Sequence, residues 1–290
     1  MATIRQVRQR IRVAKNIQQI TRAMKMVAAA RFRRAQERVQ AARPYSEAMR
    51  EMMTGLSRSV GGEAEHPLLL ARPVKTTGFL IVTSDRGLAG SYNAAILRRA
   101  VELLKGFNPE NVQLYLVGRK GIQFFRKRNY PIAEEISLPG TGASFADSRS
   151  ITRTLRNAFE SEKIDQLYLL YTRFYTAMTH KPADLQLLPI QTVEEEKQSL
   201  KQDQEDMIFE PNAAGILGAL LPRYIDGQIY QALLEATASE HGARMTAMSS
   251  ATENAGKMIQ QLTLQLNRAR QAGITREISE IVSGAEALKG

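Results

Sequence analysis

Two polar turns that contain glycine hold the residues whose types and spacing could do chemistry. Residues 84–90 (SDRGLAG) lie between a predicted strand and a predicted helix, where dinucleotide-binding folds hold phosphate on backbone amides. Gly87 and Gly90 do not complete a GxGxxG pattern, and no P-loop Lys-Ser/Thr pair follows. Nucleotide binding is therefore one hypothesis. The alternative is a tight turn in which Asp85 or Ser84 accepts hydrogen bonds from backbone amides.

The other reactive residue types form no recognisable active site. Residues 140–144 (GTGAS) resemble the first turn and leave the same two interpretations open. The acidic run at 194–196 is typical of a solvated linker. The histidines are far apart and lack metal-ligand spacing: His66, His180 and His241. Cysteine is absent, which excludes disulfides, thiol catalysis and cysteine-based metal sites. We expect no catalytic, cofactor or metal site in this chain.

The middle of the chain, residues 72–192, has the pattern of a compact α/β domain. The predicted strands are 78–85, 112–117, 131–136, 166–175 and 185–190. The predicted helices are 93–105, 121–128 and 147–160. This alternation predicts a partly parallel, Rossmann-like sheet covered by helices. No convincing helix separates the last two strands, so these two could form an antiparallel hairpin.

Both ends of the chain are predicted to be long helices. Residues 1–54 contain no glycine and a single proline, Pro44. Steps of three and four between apolar residues predict one apolar stripe, beginning Ile4, Val7, Ile11, Ala14, Ile17, Ile20, Met24 and Val27. Towards the other end, from Arg223 to Glu286, a heptad seam repeats over four heptads. Its members are Met245, Thr252, Ile259, Leu266 and Gly273, interleaved with Met248, Ala255, Leu262 and Ala269.

The lengths of these helices require partners. At ~1.5 Å per residue, about 54 residues span roughly 80 Å, whereas a domain of ~120 residues is about 35 Å across. The simplest way to bury both stripes is an antiparallel coiled coil of the two helices with the α/β domain inserted between them. The expected parts are a helix at 1–60, the domain at 72–192, a charged connector at 193–211 and a helix at 212–290.

Four glycines within the C-terminal helix each cost up to ~1 kcal/mol relative to alanine. Gly242, Gly256 and Gly284 share one heptad position, and Gly273 lies on the seam. Two interpretations stay open: close contact between helices, or a smooth face that passes close to another protein.

Positive charge is concentrated on the first helix. Residues 1–60 contain 14 Lys and Arg against 3 Asp and Glu, the first acid is Glu37, and the whole chain has a net charge of +11. A transit peptide is one explanation, but the apolar stripe continues past residue 40. Nucleic-acid binding is a second, but Phe32 and Tyr45 are the only aromatic residues there that could stack on bases. The third is a helix against an acidic protein surface. No run approaches ~18 apolar residues, so no membrane span is predicted.

Three parts of the sequence resemble one protein family. The first part lies near the C-terminus and consists of segments 238–248, 251–255, 262–264, 267–272, 274–278 and 280–285. The second part is the N-terminal segment 15–29 (KNIQQITRAMKMVAA), and the third is the turn at 84–90. Together they closely resemble the gamma subunit of rotary ATP synthases, in its bacterial form.

The resemblance implies a non-catalytic rotor. In that family the coiled coil is the central shaft inside a hexamer of alpha and beta subunits, and one copy serves each complex. The α/β domain lies at the base, near the epsilon subunit and the membrane c-ring, on the cytoplasmic face of a bacterial plasma membrane. ATP, ADP and Mg are bound by partner subunits. The resemblance implies no nucleic-acid partner.

The resemblance also carries over residues that contact the alpha and beta subunits. They are Met24, Lys25, Arg244, Arg270, Gln271, Thr275 and Glu277. The first two match the region that faces an acidic lever segment of beta. Arg270 and Gln271 match a pair that contacts a beta-subunit loop, and Arg244, Thr275 and Glu277 match polar positions tied to energy coupling. The regulatory insert of the photosynthetic branch is absent near 194–210, as is its cysteine pair, which excludes thiol regulation.

Overall fold

The computed structural model describes residues 4–60, 66–139, 142–190 and 213–287. Long helices occupy both ends: α1 spans Ile4–Val60 and α5 spans Ala213–Ala287. Helix α5 begins at Ala213, within the predicted helix at 212–290, and continues through Pro222. A proline inside a helix costs ~3 kcal/mol, and burial of Leu221, which is fully inaccessible, offsets that cost. The predicted connector at 193–211 lies outside the described residues.

A five-stranded sheet separates the two long helices along the chain. Its strands are β1 (Thr77–Val82), β2 (Val112–Val117), β3 (Ile132–Ile136), β4 (Gln166–Phe174) and β5 (His180–Leu188). The spatial order is β3-β2-β1-β4-β5, with the first four strands parallel and β5 antiparallel to β4. The predicted partly parallel sheet and terminal hairpin are confirmed. Strand β5 starts earlier than the predicted 185–190 because its pairing with β4 extends to His180 opposite Phe174.

Three helices connect the strands: α2 (Tyr92–Leu104), α3 (Arg119–Arg126) and α4 (Phe145–Glu160). A 3-10 turn at Pro109–Asn111 precedes β2. Helix α4 begins two residues before its predicted start, because a capping box fixes its first turn. The Ser144 hydroxyl accepts from the Asp147 amide at 3.2 Å, and the Asp147 carboxylate accepts from the Ser144 amide at 2.8 Å.

The described chain divides into two compact units, and the larger one is residues 29–243. Its central strands are buried on both faces, as in parallel sheets covered by helices. Leu80 and Tyr115 face one core together with α4 and the adjoining parts of α1 and α5. Phe79 and Leu114 face the other core, under α2 and α3.

The second unit contains residues 4–28 of α1 and 244–287 of α5, whose helices pair antiparallel. The Thr21 and Thr252 hydroxyls are 2.8 Å apart, and a Cβ at Gly256 would lie 3.0 Å from the Gln18 amide nitrogen. The predicted seam of α5 is the buried face: Met248 and Ala255 are buried, and the remaining seam residues are partly buried.

The predicted stripe of α1 is partly wrong. Ile17, Ile20 and Val27 are 48%, 58% and 56% exposed. The buried face instead repeats strictly every seven residues, at Val7, Ala14, Thr21, Ala28 and Ala35. A strict heptad keeps one face towards a partner helix, whereas mixed steps of three and four also collect residues beside that face.

Among the described residues, no helix is long and apolar enough to cross a membrane.

Candidate functional site

The turn after β1 is closed by the chain's own side chains. The Asp85 carboxylate accepts from the Arg119 amide at 2.9 Å, and the Thr83 hydroxyl accepts from the Gly121 amide at 2.9 Å. The Ser84 carbonyl accepts from the Lys120 amide at 3.0 Å. These are the first amides of α3, which would otherwise be free to bind an anion. Asp85 thus takes the position of an anion, and it caps α3 rather than the helix that directly follows the turn.

Close packing leaves little space beside this turn. A Cβ at Gly118, whose φ is +91°, would overlap the Thr83 carbonyl group, with its carbon only 2.7 Å away. The cavity at this end of the sheet has a volume of about 110 Å³ and is lined by residues such as Arg31, Asp85 and His241. Pockets for drug-sized ligands usually measure about 300–1,000 Å³. The geometry therefore favours the tight-turn interpretation of residues 84–90 over nucleotide binding.

The second predicted turn is only partly described. Gly140 and Thr141 lie outside the described residues. Gly142 has φ +99°, and Ser144 is the N-cap of α4. This part of the chain is therefore a helix start. No group of three His, Cys, Asp or Glu side chains in the described ranges could hold a metal ion.

The last turns of α5 extend beyond the end of α1. Because Thr21 faces Thr252 and Gln18 faces Gly256, the antiparallel register places Ile4 opposite the turn around Ala269. Every described side chain from Ile274 to Ala285 is exposed. An apolar stripe runs along this stretch with helical spacing: Ile274, Ile278, Ile281 and Val282 are 46%, 56%, 71% and 55% exposed. An exposed apolar face of this kind is typical of a surface that contacts another molecule.

The glycines predicted to interrupt α5 separate into two kinds. A Cβ at Gly242 would lie 2.9 Å from the Ala177 carbonyl oxygen, and one at Gly256 would lie 3.0 Å from Gln18. At Gly273 and Gly284, no described residue outside the local helix backbone places an atom within 4 Å of the position that a Cβ would take. Close contact explains the first two, and the smooth-face interpretation remains for the last two.

Helix α1 carries a second apolar stripe that is not part of the seam. Val13, Ile17, Ile20 and Val27 are about half exposed or more. Their spacing is that of one helix face, and arginine and lysine side chains lie beside them in the sequence. Spacing in steps of three and four predicted most of these residues on the buried face. The strict seven-residue repeat that begins at Val7 is the signal that separates the two stripes.

The structure places the seven predicted contact residues in three locations. Arg270, Gln271, Thr275 and Glu277 are all exposed and lie within two turns near the end of α5. This set is brought together by the helix. The contacts of these side chains with partner subunits stay a prediction.

The other three predicted residues lie apart from that set. Lys25 is exposed and Met24 is partly buried, and Lys25 lines a shallow groove with Ser249 and Glu253. Arg270 lies about 21 residues, or roughly 32 Å, further along α5 than Ser249. Arg244 is only 9% exposed, so most of its side chain is covered within the chain.

Comparison with known proteins identifies the family. The family model described as ATP synthase matches residues 3–288. The ATP synthase gamma chain of Brevibacillus brevis is 47% identical over 286 residues, which cover 98% of this chain and 98% of that protein. This chain belongs to the ATP synthase gamma-chain family. The family expected from the sequence is confirmed.

Solved structures share the fold of this family member. A chain of the Euglena gracilis mitochondrial ATP synthase rotor, in rotational state 1, has a TM-score of 0.68 at 20% identity and covers 93% of this chain and 98% of its own length. A chain of the Tetrahymena thermophila mitochondrial ATP synthase central stalk and c-ring has a TM-score of 0.62 at 24% identity, covering 80% and 99%. The predicted arrangement of two long terminal helices around an α/β domain is confirmed.

Proposed function

We propose that this chain is the rotating central-stalk subunit of an ATP synthase. It turns inside the alpha–beta hexamer and couples ion flow through the membrane ring to ATP synthesis or hydrolysis on the beta subunits. The full-length match to gamma chains supports this role. The proposed partners are the alpha, beta and epsilon subunits and the c-ring, with one copy of this chain per complex, at the cytoplasmic face of a bacterial plasma membrane.

The observation that carries the proposal is the end of α5. Side chains 274–285 are all exposed, and four large apolar residues among them form one stripe. Burial of each such side chain is worth about 1.5–3 kcal/mol. An apolar sleeve formed by the alpha and beta subunits around this end would bury the stripe without fixing its rotational position, because apolar contacts are non-directional.

Helix α1 offers a second proposed contact, with an acidic lever segment of beta. The exposed stripe that includes Ile20 and Val27 lies on a helix with a large excess of arginine and lysine. Apolar side chains supply the buried area, and the basic residues supply electrostatic steering. Each exposed charge pair is worth only ~0–1 kcal/mol, so fit and steering dominate over tight binding. Met24 and Lys25 are the proposed contact residues here.

The polar residues near the end of α5 are proposed to contact the hexamer. Arg270 and Gln271 would contact a beta-subunit loop, and Thr275 and Glu277 are exposed within the same two turns. Arg244 is proposed to act in energy coupling from its largely buried position. Catalysis, with ATP, ADP and Mg, takes place on the partner subunits, and this chain supplies no catalytic group.

The test is ATP hydrolysis by purified alpha and beta subunits with and without this chain. Because the chain has no cysteine, Asn108→Cys gives a unique attachment point for a bead on the α/β domain. Incorporation of one copy and unidirectional rotation driven by ATP are expected. A chain that ends at Ile274 should assemble more weakly and rotate with less torque. If no complex formed and hydrolysis did not change, the rotor function would be wrong.

A further inference from the structure

The carboxyl end of β4 is attached to α5 by hydrogen bonds with side chains. Glu235 Oε2 accepts from the Phe174 amide at 3.0 Å, and the Gln231 side-chain amide donates to Glu235 Oε1 at 2.9 Å. One turn further along α5, Ser239 Oγ donates to the Thr172 carbonyl oxygen at 3.4 Å. Two successive turns of α5 therefore bond to backbone atoms of the same strand.

The hairpin that follows β4 is packed against the next turn of α5. At Gly242, a Cβ would lie 2.9 Å from the Ala177 carbonyl oxygen and 3.3 Å from the Phe32 ring. That distance leaves no room for a side chain. The Phe32 and Phe174 rings lie 5.8 Å apart beside this contact. We use the term β4 latch for the set Phe174, Ala177, Glu235, Ser239 and Gly242.

The β4 latch differs in kind from the apolar contacts between the sheet and α5. The main core on this face contains fully buried side chains of α5 such as Leu221, Ile225 and Ile229. Apolar contacts of that kind oppose separation and are non-directional. Hydrogen bonds depend on distance and angle. The bonds from Glu235 and Ser239 therefore resist rotation of α5 against the sheet.

Unpartnered polar atoms are concentrated beside the latch. Four buried side-chain atoms in the described chain have no hydrogen-bond partner, and three of them are Thr172 Oγ1, His180 Nδ1 and Gln231 Oε1. Thr172 and Gln231 flank the latch directly, and His180 pairs with Phe174 across the hairpin. Buried polar atoms without partners each cost about 1–3 kcal/mol. The β4 latch is therefore held against a local free-energy cost that a purely apolar contact would not carry.

We propose that the β4 latch transmits torque between the sheet and α5, with Glu235 as its positioning residue. This inference rests on the rotor function proposed above. Torque that enters the α/β domain has to reach α5 within this unit, and the latch joins the two elements by directional bonds. Loss of the Glu235 carboxylate should make the joint more compliant without unfolding the domain.

The test measures compliance in the assembled complex. With the hexamer fixed and stalled, the angular variance of a bead at Asn108→Cys reports how far the sheet twists against the shaft. Glu235→Ala should increase this variance by up to about twofold, because it removes the hydrogen bond that holds the Phe174 amide to α5. Glu235→Gln keeps a carbonyl oxygen for the Phe174 amide and should restore the original variance. Glu102→Ala removes an exposed acid of α2 and is the matched control.

Hydrogen exchange checks the latch itself in the full-length chain. The Phe174 amide should exchange about tenfold faster in Glu235→Ala, which corresponds to a lost hydrogen bond of about 1.4 kcal/mol, and should exchange closer to the original rate in Glu235→Gln. If Glu235→Ala fails to assemble, Gly242→Ala displaces the hairpin instead and should give the same increase in variance. Faster exchange with unchanged variance would overturn the torque role. Absence of rotation with the unaltered chain would overturn the rotor function, and the torque role with it.

Discussion

The hydroxyl oxygens of Thr21 and Thr252 lie 2.8 Å apart in the seam between α1 and α5. Both residues occupy positions of a seven-residue repeat that is otherwise largely apolar. Thr252 also bonds to the Met248 carbonyl oxygen at 2.7 Å, and Thr21 to the Gln18 carbonyl oxygen at 3.1 Å. A shift of one helix by a heptad would set Thr252 against Ala14 or Ala28, and Thr21 against Met245 or Ile259. The pair therefore favours one register of the antiparallel helices, as polar seam residues do in coiled coils.

This pairing predicts strong coupling between the two threonines. Thr252→Val alone should lower the free energy of unfolding by about 1 kcal/mol, because it removes the hydrogen bond that the Thr252 hydroxyl donates to the Thr21 oxygen. The double change Thr21→Val and Thr252→Val should be close to neutral, because both hydroxyls are replaced by methyl groups of similar size. Denaturant unfolding of the four variants measures the coupling energy. Thr246→Val, at an exposed site of α5, is the control, and additive effects of the two seam changes would contradict the prediction.

Alanine substitutions at Gly118, which packs against the closed turn, and at Gly87, which lies within it, should differ sharply in their effect on stability. Gly118→Ala places a methyl group against the Thr83 carbonyl group, 2.7 Å from its carbon, in a backbone with φ +91°. Strain and overpacking together should cost about 3 kcal/mol or more. At Gly87, the nearest atom to a Cβ is the Lys120 Cε at 3.8 Å, so Gly87→Ala should change stability by less than about 0.5 kcal/mol. Thermal unfolding of the two variants compares them, and equal melting temperatures would contradict the assignment.

The sequence could predict much of the fold because local patterns and long-range packing agree. Strand β2 was predicted with its observed bounds, Val112–Val117, since the apolar run is buried on both faces. The heptad seam of α5 was predicted because its spacing is strict. The stripe of α1 was harder, because Ile17, Ile20 and Val27 are apolar but exposed. Hydropathy alone cannot distinguish a face that is buried within the chain from a face that is left for a partner.

The candidate sites show a second limit on prediction from the sequence, which concerns contacts between residues far apart in the chain. Asp85 was expected to accept from a backbone amide, and it does, but its donor is Arg119, 34 residues away. The β4 latch joins Glu235 to Phe174, 61 residues apart. No local sequence pattern indicates such pairs, because they form only where the fold brings a strand end next to a particular helix turn. Gly242 was marked by its heptad position, but only the fold shows that Ala177 lies against it.

The ion pair of Arg72 with Asp165 predicts how stability depends on pH. Burial of Asp165 by itself would raise its pKa, but the Thr76 and Lys75 amides and the Arg72 guanidinium outweigh burial and lower the pKa below the usual 3.8. The unfolded chain therefore binds a proton more readily. The contribution of Asp165 is fully present above about pH 4 and is lost as the pH falls through the lowered pKa of the folded state.

Removal of the Asp165 charge should show this dependence. Asp165→Asn leaves the largely buried Arg72 without its anion and should cost about 3 kcal/mol at neutral pH. The difference from the unaltered chain should shrink below about pH 4. Asp184→Asn, which breaks the more exposed pair with Arg99, should cost ~0–1 kcal/mol and serves as the matched control. Urea unfolding at several pH values measures both, and a constant difference across the acid range would exclude Asp165 as the titrating group.

The exposed end of α5 should contribute to binding in the complex but not to the stability of the isolated chain. Replacing Ile274, Ile278 and Ile281 by serine should change the free energy of unfolding of the isolated chain by less than about 0.5 kcal/mol per site, because these side chains are exposed. Within the hexamer, each lost apolar side chain should remove about 1.5–3 kcal/mol of burial. Binding to purified alpha and beta subunits should therefore weaken at least tenfold, measured by titration with labelled chain. Leu185→Ser, at an exposed apolar residue of β5, is the control and should bind normally. Unchanged binding of the triple variant would mean that this end of α5 is not enclosed by the hexamer.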